Sequence, residues 1–192
     1  VDQLYHRLKY QVLKPSVEKV IDCPDVKMPN GTWTRPLFRC RSYFGDGKFT
    51  FFGRTNVLSS VTDWERADSE ELWNWNLHYF DDLASDYSLC RYESHRQLIE
   101  QWIKDNPDPR SIMAWGPYPT SLRSVNWIKW FYCGARFQSD WLVNLFMQFR
   151  WLHKRLEFDL YGNHLFANAK ALCFGGCFFS GDESQEWLRQ GV

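Results

Sequence analysis

Apolar residues recur at helical spacing along most of this chain, and short polar breaks punctuate them. Leu4, Leu8, Val12 and Leu13 set a first helical stripe over residues 2–21, which Pro15 interrupts. Residues 22–47 are rich in Pro, Gly, Asp and Asn and read as irregular. Phe38 to Tyr43 and Lys48 to Phe52 have the composition of two short strands around the turn Gly45-Asp46-Gly47. Asp68-Ser69-Glu70-Glu71 puts acids in the first turn of a helix expected over residues 70–84. A second helix is expected over residues 92–106, stopped by Asn106-Pro107-Asp108-Pro109, and a loop follows to Tyr118. Thr120 or Ser121 can cap a helix to about Phe137, and Ser139 or Asp140 one to about Asp159. Gly162 breaks the chain, and a helix from Asn163 or His164 runs to Phe179. Gly181 ends it, and Asp182 caps a last segment over residues 183–190. Short loops between long helices predict antiparallel helical hairpins. The expected class is therefore mainly α, with a small irregular or β segment near residues 22–62. The expected division is 1–62 and 63–192. The chain stops at Val192 soon after its last helix begins, which reads as the N-terminal piece of something longer.

Composition adds two constraints. Aromatic residues make up 18% of the 192 residues, with 11 Trp, enough for a core or for sugar-stacking platforms. Net charge is zero, so no global field draws the chain to nucleic acid or anionic membrane. Locally, residues 119–170 carry seven Lys/Arg against three acids, a basic surface suited to an anionic ligand. The six cysteines contain no CxxC pair, and Cys173 and Cys177 read as small buried hydrophobes on a helix. His and acidic residues show no ligand spacing such as HxxxH, so no metal and no cofactor are predicted. No apolar run reaches the roughly 20 residues of a membrane span, and no signal peptide is visible at the N-terminus.

Three motifs carry candidate chemistry. They are Leu72-Trp73-Asn74-Trp75-Asn76-Leu77-His78-Tyr79-Phe80, the stretch from Tyr118 to Lys129 (Tyr-Pro-Thr-Ser-Leu-Arg-Ser-Val-Asn-Trp-Ile-Lys), and Gly162-Asn163-His164-Leu165-Phe166-Ala167-Asn168-Ala169-Lys170. Each sets multi-donor polar groups among aromatic rings, as a site gripping an acidic sugar requires. Arg123 can bind a carboxylate or sulfate bidentately. Asn126 and Trp127 lie within a turn of it, and Trp127 can stack on sugar or fill the core. His78, Tyr79 and Tyr118 complete the substrate-binding candidates. The competing reading for Asn163 is an ordinary helix cap. His95 has no partner pattern and reads as a surface residue.

In order and spacing the three motifs resemble the heparinase II/III family of polysaccharide lyases and their alginate-lyase relatives, over about residues 60–190. That resemblance implies an incomplete α/α toroid followed by a β-sandwich, the latter absent from these 192 residues. It implies β-elimination beside a uronic acid, with Asn163 and His164 in catalytic positions and a Tyr and a further His expected downstream. It also implies a bacterial, periplasmic or extracellular protein whose partner is an acidic polysaccharide. Two other readings stay open on the residues alone. One is an α/α-toroid glycoside hydrolase using carboxylates among Asp81, Asp82, Glu157 and Asp159. The other is a non-catalytic carbohydrate-binding or structural helical domain.

Overall fold

A computed structural model describes residues 22–30, 39–66, 70–109, 111–158, 160 and 162–192. The helix expected over residues 2–21 and the strand start at Phe38 lie outside these. The architecture is mainly α, as the periodicity predicts. Seven α-helices are present among the described residues: α1 (Glu71–Leu77), α2 (Tyr92–Asp105), α3 (Ile112–Trp115), α4 (Pro117–Tyr132), α5 (Ser139–His153), α6 (Asn163–Phe178) and α7 (Asp182–Gly191). Short 3-10 turns cover Val61–Glu65, Asp81–Ala84 and Ser88–Arg91.

The β element differs from the sequence expectation. Strand β1 (Lys48–Phe51) pairs antiparallel with the strand that follows it, β2 (Arg54–Val57), in the register Lys48–Val57 to Phe51–Arg54. Phe52 (φ 53°) and Gly53 (φ 76°) form the link, and positive φ at both central positions matches the twist of a tight hairpin. The expected partner on the other side contributes one bridge, Tyr43 to Phe49.

The helix expected over residues 70–84 stops at Leu77. Phe80 takes a left-handed backbone (φ 58°), a conformation that costs a non-glycine residue about 1 kcal/mol or more. The turn drives its ring into the core, 5.6 Å from Trp127 and 6.2 Å from Trp102, both edge-on. Burying a phenylalanine side chain stabilises by about 2 kcal/mol, which offsets the backbone cost. Local propensity favoured a longer helix, and core packing overrode it.

Helix α2 buries His95, Leu98, Ile99 and Trp102, one stripe at helical spacing. Helix α4 starts earlier than its Thr and Ser suggest, because Pro117 occupies the first turn, where a missing N–H costs nothing. It is buried almost all round and packs against α3, α5, α6 and the turn Asp81–Ala84. Helices α4 to α7 follow one another as packed neighbours. Asp25, Val26 and Lys27 strap the end of α6, with a Val26–Phe179 bridge and backbone bonds to Phe178 and Ser180. Nine of the ten tryptophans among the described residues are buried, so most of them build core rather than a sugar platform. Cys173 is half-buried, beside Gly191 of α7, and Cys177 is exposed, contrary to the buried reading.

Two glycines inside α6 mark close helix approach. A Cβ on Gly175 would meet the Phe149 ring at 2.6 Å, and one on Gly176 would meet Leu188 Cβ and the Ser184 carbonyl at 2.7 Å. Because backbone stands in the way, Gly176→Ala is expected to destabilise by about 1–3 kcal/mol despite alanine's higher helix propensity. A lowered urea midpoint checks this; an unchanged or raised midpoint contradicts it.

Candidate functional site

The residues flanking the start of α6 form the candidate site. Gly162 precedes the helix with φ 93°, a backbone that suits glycine, and Asn163 is the first helical residue. No side chain among the described residues caps this helix, so the competing reading of Asn163 as an ordinary cap finds no hydrogen bond to support it. Asn163 is exposed, beside the orphan N–H groups and positive dipole end of a 16-residue helix.

His164, next in the chain, is fixed from two sides. Its ring stacks on Tyr118 with centroids 4.2 Å apart. Its Nδ1 lies 3.2 Å from Glu157 Oε1. A carboxylate accepts, so Nδ1 carries a proton. Asn168, one turn along α6, holds Glu157 in turn. Its amide donates to Glu157 Oε2 at 3.2 Å and to Ser121 Oγ at 3.0 Å, while its Oδ1 accepts from the Glu157 backbone N–H at 2.9 Å. Helix α4 is thereby tied to the loop before α6. In the sequence Glu157 reads only as a hydrolase carboxylate, and nothing in the linear pattern pairs it with His164.

Tyr118 leads to Tyr79, the two rings edge-on at 5.9 Å. Burial, followed by the nearby Tyr118, Asp81 and Glu157, pushes the Tyr79 phenol up to about 12, so it stays protonated at neutral pH. Asn126 donates to the Tyr79 carbonyl and to Asp81 Oδ1, both at 2.9 Å. Asn163, His164, Tyr118, Tyr79 and Asn126 thus belong to one contiguous half-exposed face.

The other three expected binding residues lie elsewhere, which corrects that expectation. His78, Arg123 and Trp127 are each 0% exposed. Arg123 donates to Gln148 Oε1, the carbonyls of His78 and Ala114, and Thr120 Oγ1, with its guanidinium 3.8 Å over the Trp102 ring. Its donors are consumed inside the core. The Trp127 indole N–H has no hydrogen-bond partner among the described residues, and its ring is packed against Phe80 and Trp102. His78 Nδ1 accepts from Trp102 Nε1 at 3.1 Å, so its Nε2 donates to the Trp64 carbonyl at 3.2 Å.

A second polar knot is also buried. Asp82 accepts from His95 Nε2 at 2.7 Å, from the backbone N–H of Ser42 and Tyr43 at 2.6 and 3.0 Å, and from Arg91. His95, expected at the surface, is fully buried here. Burial alone would raise the Asp82 carboxyl, but these donors outweigh it and hold it near 2. Asp82 is therefore a structural anchor, which leaves Asp81 and Glu157 as the candidate carboxylates among the described residues; Asp159 lies outside them.

These buried groups set an acid limit on stability. Burial first, then the Arg123 charge, lowers the His78 imidazole from 6.5 to about 3, so the fold favours neutral His78. That contribution is complete above pH 6.5 and is lost as pH falls towards 3. The depressed Asp82 contributes above pH 3.8, about 2–3 kcal/mol lost as pH falls towards 2. The urea midpoint is expected to fall in these two stages, and Asp82→Asn to flatten the lower one. A midpoint constant from about pH 7 to about pH 3 contradicts the His78 assignment, and one that stays constant from there to about pH 2 contradicts the Asp82 assignment.

The start of α6 thus brings Asn163 and His164 together with Tyr118 and Glu157. The family model described as Heparinase II/III N-terminus matches residues 5–192, and the chain belongs to that family. It is accordingly a polysaccharide-lyase-related domain. No curated protein and no solved structure matches the chain. Among the described residues there is no His, Cys, Asp or Glu group able to hold a metal, and no helix is long and apolar enough to cross a membrane.

Proposed function

We propose that this chain is the N-terminal, helical part of a lyase that cleaves a uronic-acid-containing polysaccharide by β-elimination, within an incomplete α/α toroid. The observation that carries the reading is the pairing of an exposed, unbonded Asn163 at the start of α6 with a His164 held by Glu157 and Tyr118. In β-elimination the proton on carbon 5 leaves, the bond from carbon 4 to the glycosidic oxygen breaks, and a double bond joins the two carbons. Carbon 5 is weakly acidic while its carboxylate is charged. The Asn163 amide and the N–H groups of the first turn suit that carboxylate and the developing enolate. His164 stands beside them with its Nδ1–H held by Glu157. Tyr79, protonated at neutral pH, is a donor suited to the departing oxygen. An extracellular or periplasmic setting follows from the polymeric substrate.

The test is an ultraviolet assay for the conjugated double bond, run with the full-length protein on heparan-, alginate- and glucuronan-type polymers. Absorbance should rise as the chains shorten. New reducing ends without absorbance would overturn the reading in favour of a hydrolase, with Asp81 and Glu157 as the carboxylates to examine.

A further inference from the structure

Beyond Asn163 and His164 the same face carries two lysines that no acid among the described residues pairs with. Asn126 and Lys129 lie three apart on α4, and Lys170 and Phe174 four apart on α6, so each pair shares a helix face. The Lys129 ammonium sits over the Phe174 ring at 5.6 Å, which brings the two faces together. Arg39 reaches the group by its ion pair with Asp81 at 3.7 Å, and Asp81 is the carboxylate that Asn126 binds. Neither Lys129 nor Lys170 has a salt bridge or hydrogen bond among the described residues. Three cations therefore stand around one carboxylate that already has two partners. Lys129 is also half-buried, and burial, then Lys170 and Arg39, lower its ammonium from the usual lysine value. Like charges held this close destabilise the free protein unless an anion joins them.

We propose that Arg39, Lys129 and Lys170 form a subsite for a second acidic group of the glycan, a carboxylate or sulfate on a sugar neighbouring the one at Asn163. This rests on the lyase reading for its ligand class. The contacts from His164 through Tyr118 and Tyr79 to Asn126 join the two places, so a polyanion can lie along one face. A chain bearing an acidic group only at the cleaved sugar would leave the cations unmatched, so the subsite selects polymers with acidic groups on successive sugars.

Calorimetric titration with three hexasaccharides tests this: an alginate-derived one with a carboxylate on every sugar, a heparin-derived one with sulfate on the sugars between its uronic acids, and neutral cellohexaose. At least one charged probe is expected to bind and the neutral one not. Binding of the alginate probe assigns the subsite to carboxylate, and binding of the heparin probe alone assigns it to sulfate. The double variant Lys129→Gln/Lys170→Gln should weaken binding by about tenfold or more and reduce the slope of log Kd against log salt by about two, while Lys129→Arg/Lys170→Arg restores both. Unchanged affinity in the Gln variant, equal binding of cellohexaose, or no binding of either charged probe overturns the proposal. The thermal midpoint of the Gln variant should not fall below the parent's, because neither ammonium has a salt bridge or hydrogen bond among the described residues and removing both relieves the repulsion between like charges. The lyase reading is judged separately. A protein that binds through the lysines yet makes no unsaturated product keeps the subsite and loses the β-elimination.

Discussion

Arg123→Ala is expected to cost on the order of 4 kcal/mol of stability. The guanidinium serves four acceptors in four places: Gln148 on α5, Thr120 on its own helix, the carbonyl of Ala114 on α3 and that of His78 just after α1. Truncation leaves those acceptors buried without a donor, each costing about 1–3 kcal/mol before relaxation. It also removes the plate beneath Trp102 and opens a cavity. Against a total of about 5–15 kcal/mol for an ordinary domain, the loss leaves little margin. Arg123→Lys should recover only part of it, because one ammonium cannot span the same set of acceptors. Urea denaturation of both variants is the measurement. Were Arg123 a sugar ligand, the alanine variant would lose binding with its midpoint unchanged, and that result would sink the structural role.

Asn163→Ala should behave in the opposite way. The side chain is exposed, caps nothing and bonds to no described group, so the urea midpoint is expected to move by less than about 0.5 kcal/mol. If it neutralises the substrate carboxylate, kcat of the full-length protein should fall about 100- to 1000-fold, the usual consequence of removing one donor to a developing anion. Binding of a charged hexasaccharide should change much less than kcat, because the enolate charge appears only in the transition state. Retained turnover would remove Asn163 from the reaction. A stability loss would return it to helix capping.

The two variants separate residues that look alike in the sequence. Arg123 and Asn163 both stand in polar motifs among aromatics, and both suit a carboxylate. Burial distinguishes them, and burial depends on which face of α4 meets α2, α3 and α5. No linear pattern states that. Trp127 and His78 follow the same rule, since an amphipathic aromatic reads equally well as platform or core until its neighbours are known.

Local signals along the chain were enough for the class of element and the punctuation. Apolar spacing specifies mainly α, and α2, α6 and α7 lie within a residue or so of where their periodicity, Pro107 and Gly162 place them. The three motifs also carry the family. These signals rest on 3.6-residue spacing and on residues with restricted or permissive backbones. Features that depend on distant partners were settled by packing instead. Helix α1 ends at Leu77 because Phe80 gains more from the Trp102–Trp127 cluster than a longer helix would give. The hairpin forms between β1 and β2 because Phe52-Gly53 can take two positive φ angles. Glu157 meets His164, and Arg39 meets Asp81 beside Lys129, through contacts between separate segments of the chain. Charge and hydrogen bonding act through space, so the site's chemistry becomes legible only once the helices have set those distances.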